Sequence, residues 1–231
     1  MFTTDELNCK FRIEVADPLE GDDSGTEPDS ENLWKDHEIY GYATEAADAV
    51  ARDTQGLYKL VELPVVVDEN VVSLPRYILH IRFARLVTAN SQVVESNQDD
   101  IMTGTVCDYG VQLSGGLLRA RGRPRSFARD RERKALVIAP TPTQADTLEL
   151  QCSVTIATPL LCGMPLPFLE LPDQRLMLHF MKYLAYAKQD ADVLDLARSE
   201  SFKARYDSEV AERAVELRNQ RRRPSPIAME W

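Results

Sequence analysis

The stretch LPDQRLMLHFMKYLAYAKQDADVLDLARSESFKARYDSEVAERAVELRNQRRR, residues 171–223, decides the fold. Pro172 suits the first turn of a helix, where its missing N–H is not needed, and Asp173 behind it suits the positive end of the helix dipole. Leu176, Phe180, Tyr183, Leu184 and Ala187 follow at helical spacing. After a turn region at 189–192, a second series recurs every three or four residues: Leu194, Ala197, Ser201, Ala204, Ser208, Ala211 and Val215. Small residues at such positions let a partner helix come close, while Phe202, Tyr206, Val210 and Leu217 widen the apolar side. The reading is a long helical hairpin, a packing element whose partners lie elsewhere in the chain.

Two upstream segments supply them. Thr4 caps a helix running to Val15, with Leu7, Phe11 and Val15 four residues apart and Asp5 and Glu6 in the first turn. A second helix runs from Asp36, read as its cap, to about Thr54, with Ile39, Tyr42 or Ala43, Ala46 and Val50 along one stripe. Between them residues 17–33 are acidic and rich in proline, glycine and serine, a composition that reads as a loop. From Tyr58 the period changes to that of strands. YKLVELPVV, VVSLPRYILHIRFARLV, GVQLSGGLLRA, KALVIAP and DTLELQCSVTI are all compatible with them, Tyr77, Leu79, Ile81 and Phe83 alternating with Arg76, His80 and Arg82. The expected fold class is α+β: a helical bundle of about four helices, an inserted antiparallel β domain and an extended C-terminal arm. The expected divisions are the N-terminal half of the bundle at 1–71, the β domain at 72–158, the helical hairpin at 159–223 and the arm at 224–231.

Charge narrows the function. Across 231 residues the net charge is -10, which argues against nonspecific nucleic-acid binding by the protein as a whole. The balance is uneven: residues 1–36 carry eleven acids and three bases, and 119–134 carry eight bases and two acids. Such asymmetry suits contacts between copies or partners, or two solvated segments. Cys9, Cys107, Cys152 and Cys162 are scattered, and His37, His80 and His179 stand alone, so no metal site or disulfide framework is signalled. Neither a nucleophile elbow nor a phosphate-binding glycine loop is present in the required context. The expectation is no enzyme, no cofactor and no metal. No signal peptide or membrane span is expected either, which suits a product made in a cytoplasm.

Two segments are candidates for binding. The basic run contains Arg119, Arg121, Arg123, Arg125, Arg129 and Arg131 around Phe127. Asp130 and Glu132 interrupt it, so it reads as a hairpin turning at Gly122 and Pro124, with Phe127 in the core and arginines exposed or paired to acids on a neighbouring copy. The competing reading is a nucleic-acid patch. Beyond Arg221, Arg222 and Arg223, Pro224 and Pro226 stop the helix, and Ile227, Met229 and Trp231 would be costly to leave in water. An extended arm with apolar anchors that docks into a groove of another protein accounts for them.

The opening DELNCKFRIEVAD, LWKDHEIYGYATEAADAVARDT, LPRYILHIRFARL, GRPRSFARDRERKALVIAPTPTQADTLELQCSV and the closing hairpin together resemble the head-to-tail adaptor (connector) proteins of tailed bacteriophages, especially short-tailed ones. The marks are Trp34 and Asp36, Gly122 and Pro124, Pro140 and Pro142, and Leu171 to Asp173, in that order. The acidic insert is longer, and the arginines denser, than the pattern needs. The resemblance implies a virion structural protein, made in the host bacterial cytoplasm and placed at the head-tail junction. It implies a homo-oligomeric ring, commonly a dodecamer, under the portal protein, sealing the packaged genome and docking tail or nozzle proteins. DNA would pass through its ejection channel without sequence-specific binding, and no membrane is involved. The arm, Arg221 to Trp231, would bind the portal, and the segment Arg119 to Arg131 would contact a subunit or the tail. The alternative is a helical nucleic-acid-binding or DNA-packaging accessory protein that uses residues 119–134.

Overall fold

The chain divides into two units, Met1–Leu57 with Thr155–Trp231, and Tyr58–Val154. The computed structural model describes residues 3–15, 33–97, 99, 101, 120–130, 132–168, 170–188 and 194–222, without the side chains of 221 and 222. The strand expected at 110–120, Ala120 apart, and the acidic loop expected at 17–33, Leu33 apart, lie outside the described residues.

The first unit holds α1 (Thr4–Val15), α2 (Asp36–Thr54), α3 (Leu171–Tyr186) and α4 (Leu196–Arg222). α3 packs against the other three. It therefore buries Leu176, Met177, Leu178, Met181, Ala185 and Tyr186, whereas Phe180, Tyr183, Leu184 and Ala187 of the expected stripe are only half-buried. Each large apolar side chain among them, fully removed from water, contributes about 1.5–3 kcal/mol. Trp34 closes one end of this core at 1% exposure. Its ring meets Phe11 and Tyr186 edge-on at 5.9 and 5.6 Å, and its Nε1–H donates to the Ala185 carbonyl at 3.3 Å. Large buried rings arranged this way fix the entry of the chain into α2.

α4 corrects the sequence reading. Its buried side chains are Ser199, Tyr206, Val210, Arg213 and Leu217, with Phe202 half-buried between them. Ala197, Ser201, Ala204, Ser208, Ala211 and Val215 are all exposed. At 100° per residue the two sets lie on opposite sides of the helix. The larger side chains won because burial follows apolar area. Inward-facing Arg213 is held by Asp173 at 2.9 and 3.0 Å, by Glu216 at 2.8 Å and by Glu170. Tyr206 donates its hydroxyl to Asp53 of α2 at 2.7 Å.

At the start of α2 the cap residue is Lys35, not Asp36, and its N–H donates to Glu38 at 3.0 Å. Asp36 sits in the first turn, where its carboxylate accepts from Asn8 at 2.9 Å and Arg12 at 2.6 Å, tying α1 to α2. Burial works to raise the Asp36 carboxyl, but hydrogen bonds from Arg12 and Asn8 outweigh it and hold the pKa below the ordinary value. A carboxyl depressed by folding gives stability that is present above its unfolded pKa and lost as pH falls through the folded one. Asp36→Asn should therefore show a shallower loss of stability below about pH 4 in acid titrations of the unfolding midpoint. An acid limb as steep as that of the parent chain would exclude this role.

Among the described residues the second unit contains three small sheets. β1 (Tyr58–Val65), β10 (Asp146–Val154), β3 (Ile78–Leu86) and β4 (Ser91–Gln92) form one, antiparallel throughout. β2 (Val71–Ser73), β8 (Ala135–Ala139), β7 (Ser126–Asp130) and β5 (Val94–Glu95) form the next, in which β5 runs parallel to β7. β6 (Arg121–Gly122) and β9 (Thr141–Pro142) pair in parallel as a third. β1 pairs with β10 along its whole length, so the unit begins at Tyr58 where the sequence suggested residue 72. The alternation expected in β3 holds only in part. Its buried residues are Ile78, Ile81, Ala84 and Leu86, and Phe83 is 39% exposed. Register shifts against β10 leave extra residues on β3, and each shift flips the faces of the residues beyond it. The turn expected at Gly122 and Pro124 is also displaced. The hairpin joins β7 to β8 and closes at Lys134, whose φ of 49° is left-handed.

Candidate functional site

The basic run splits into two kinds of arginine. Arg121, Arg123 and Arg125 are all exposed, while Gly122 between them is half-buried and Pro124 buried. The segment is fixed from behind: Thr141 donates its N–H to the Ala120 carbonyl and Arg125 donates its own to Ala139, each at 2.9 Å. Arg121 pairs with Asp68 at 2.8 Å; Arg123 and Arg125 have no ion pair among the described residues.

Past Arg125 the run turns inward. Phe127 is 2% exposed, so it belongs to the interior of the sheet and offers no surface contact. The Arg129 guanidinium donates to the carbonyls of Leu79 and Ile81 at 3.1 and 3.5 Å and lies 3.1 Å from Glu95. It braces strands within the unit. Arg133 pairs with Asp130 at 3.6 Å. Arg119 and Arg131 lie outside the described residues, as do Arg223, Pro224, Ile227, Met229 and Trp231. Arg221 and Arg222 are the last residues of α4.

A cavity of about 550 Å³ opens in the helical unit, with Trp34 and Tyr186 in its floor and Val15, Leu33, Leu194 and Leu196 around it. The charges on its wall, Asp195 and Arg198, pair with each other at 3.3 Å. Such walls can hold an apolar group but move no proton. Burial pushes the Cys152 thiol up to about 11, away from reactivity at neutral pH. Burial lowers the pKa of His179, against the opposing pull of Glu209 at 3.4 Å, and its ring stacks on Phe202. Among the described residues no group of three His, Cys, Asp or Glu side chains could hold a metal ion, and no helix is long and apolar enough to cross a membrane.

Among known proteins, a family model described as SU10 adaptor protein matches residues 11–230. No curated protein matches the chain.

Proposed function

From the premise that the chain belongs to the SU10 adaptor protein family, and is thus a phage adaptor structural protein, we propose that it is the head-to-tail adaptor, assembling as a ring under the portal. The observation that carries the reading is the family match, which spans both units and nearly the whole chain. The ring has about twelve copies, seals the packaged genome, presents a docking face to tail or nozzle proteins and leaves a channel for DNA. A short-tailed virion suits it best.

The mechanism is binding energy alone. Each copy adds a modest contact with the portal, and closure of the ring multiplies these contacts through effective concentration. The outward series on α4, from Ala197 to Val215, supports side-by-side packing, because small side chains let a neighbouring helix approach closely. The arm from Arg221 to Trp231 supplies the portal contact: arginines for acidic rims, then Ile227, Met229 and Trp231 as apolar anchors. The exposed arginines of the β unit face a neighbouring subunit or the tail. A nucleic-acid-binding accessory is the weaker reading, because Arg121, Arg129 and Arg133 are already paired with acids.

Native mass spectrometry tests the assembly. The isolated chain is expected as a monomer, and the portal mixed with it as a complex carrying about a dozen copies. A portal that remains bare in excess chain would overturn the proposal.

A further inference from the structure

The arginine row at Arg121, Arg123 and Arg125 has a chemically matched occupant within the same sequence. We propose that it is the docking strip for the acidic segment 16–32 of a neighbouring copy, an electrostatic latch between subunits. This rests on the reading of the chain as a ring-forming adaptor and names the partner of the arginine strip within it.

Four observations carry it. The three arginines are exposed, and the backbone that carries them is held at both ends by hydrogen bonds to Thr141 and Ala139, so their guanidinium groups are presented at lower ordering cost. Arg123 and Arg125 carry uncompensated charge among the described residues, whereas Arg129 and Arg133 have acids of their own. Residues 16–32 hold seven acids and no base, a density whose self-repulsion a cationic surface relieves. Finally, Val15 and Leu33, the described residues on either side of that segment, line the same cavity. Seventeen residues held at both ends reach at most about 29 Å from their anchors, half of the extended contour.

The other polyanion that could be drawn to arginines is DNA. Nonspecific duplex binding is driven by attraction of phosphates to positive charge, which the chain's net charge of -10 opposes. For the acidic segment a contact of modest strength suffices, because one repeated around a closed ring becomes strong.

The test uses the full chain in which the acids of 16–32 are replaced by their amides, so that its own segment does not compete. A labelled synthetic peptide of residues 16–32 is titrated into it and followed by fluorescence anisotropy. Saturable binding is expected at about 50 mM salt, weakening about tenfold or more at about 0.3 M. Arg123→Glu with Arg125→Glu should weaken it about tenfold further, whereas Arg123→Lys with Arg125→Lys should keep most of it, since the attraction is between charges. Circular dichroism checks that these exposed substitutions leave the fold intact. This readout needs neither ring nor portal, so its failure is separable from failure of the adaptor reading. Peptide binding that ignores both arginines would overturn the latch. So would a duplex DNA probe that binds the intact chain through Arg123 and Arg125 while the peptide does not. A mixing experiment then assigns the contact to neighbours. Chains bearing the two Arg→Glu changes, and chains bearing Asp22→Lys, Asp23→Lys and Glu27→Lys, should each form portal-bound rings poorly and do so well when mixed. Binding of the peptide without rescue on mixing would place the contact within one chain and overturn the proposal.

Discussion

Arg213→Ala is expected to cost the helical unit about 3–5 kcal/mol, the usual penalty for removing one partner of a buried ion pair. Arg213 is 4% exposed and Asp173, which accepts two of its hydrogen bonds, is 5% exposed. Glu216 at 2.8 Å and Glu170 complete the ring of acceptors around it. Alanine would strand the Asp173 carboxylate in the interior beside a void. In the intact chain the bidentate contact joins the first turn of α3 to α4, so its loss also frees the hairpin on which the unit is built. Denaturant unfolding monitored by far-ultraviolet circular dichroism measures the change. The double substitution Asp173→Leu with Arg213→Met should recover most of the loss, since a matched apolar pair leaves no unpaired charge. A penalty under about 1 kcal/mol for Arg213→Ala would mean that the network is solvated and contributes as weakly as a surface pair.

The second large effect concerns function. Removing residues 224–231 is expected to abolish attachment to the portal while leaving the unfolding midpoint unchanged. Truncating a hot-spot aromatic anchor costs about 2–4 kcal/mol, roughly 30- to 1000-fold per copy, and a ring compounds that loss over its members. Stability is expected to hold, because among the described residues the core of the helical unit is supplied by α1 to α4, by Trp34 and by the segment 155–168. Trp231→Ala alone should reproduce the larger part of the loss, and Arg221→Ala with Arg222→Ala a smaller, salt-dependent part. Unchanged portal binding by the truncated chain would exclude the arm as the portal contact and leave the ring to be held by other surfaces.

The helices were legible because each combines a 3.6-residue apolar period with a recognisable entry. Pro172 and Asp173 mark α3, and Trp34 with Asp36 mark α2 to within one residue. What periodicity could not decide was which of two competing faces of α4 turns inward. Both the small series and the series Phe202, Tyr206, Val210 and Leu217 repeat every three or four residues, and only the presence of α2 and α3 chooses between them. The short strands β4, β5, β6 and β9 have two residues each, too few to carry a period. β7 was hidden inside the arginine run, where charge suggested an exposed hairpin. Phe83 was assigned to the wrong face because a bulge is a property of the pairing and leaves no mark in one strand.

The candidate surface was legible to a similar extent. The charge density of RARGRPR marks the segment as solvent-facing, and Arg121, Arg123 and Arg125 are all exposed. The same reasoning failed at Arg129, whose partners Leu79, Ile81 and Glu95 come from strands far away in sequence. The paired carboxylates of α3 and its preceding residue, which receive Arg213 forty residues later, likewise left no local signal.

Whether this chain works by assembling on a portal is tested most directly by single-particle imaging of portal particles incubated with the intact protein. The expected result is a closed ring of additional density, about twelve copies, seated on one end of the portal around an open axial channel. Bare portals at chain concentrations of tens of micromolar, roughly a 6–7 kcal/mol threshold per contact, would contradict it.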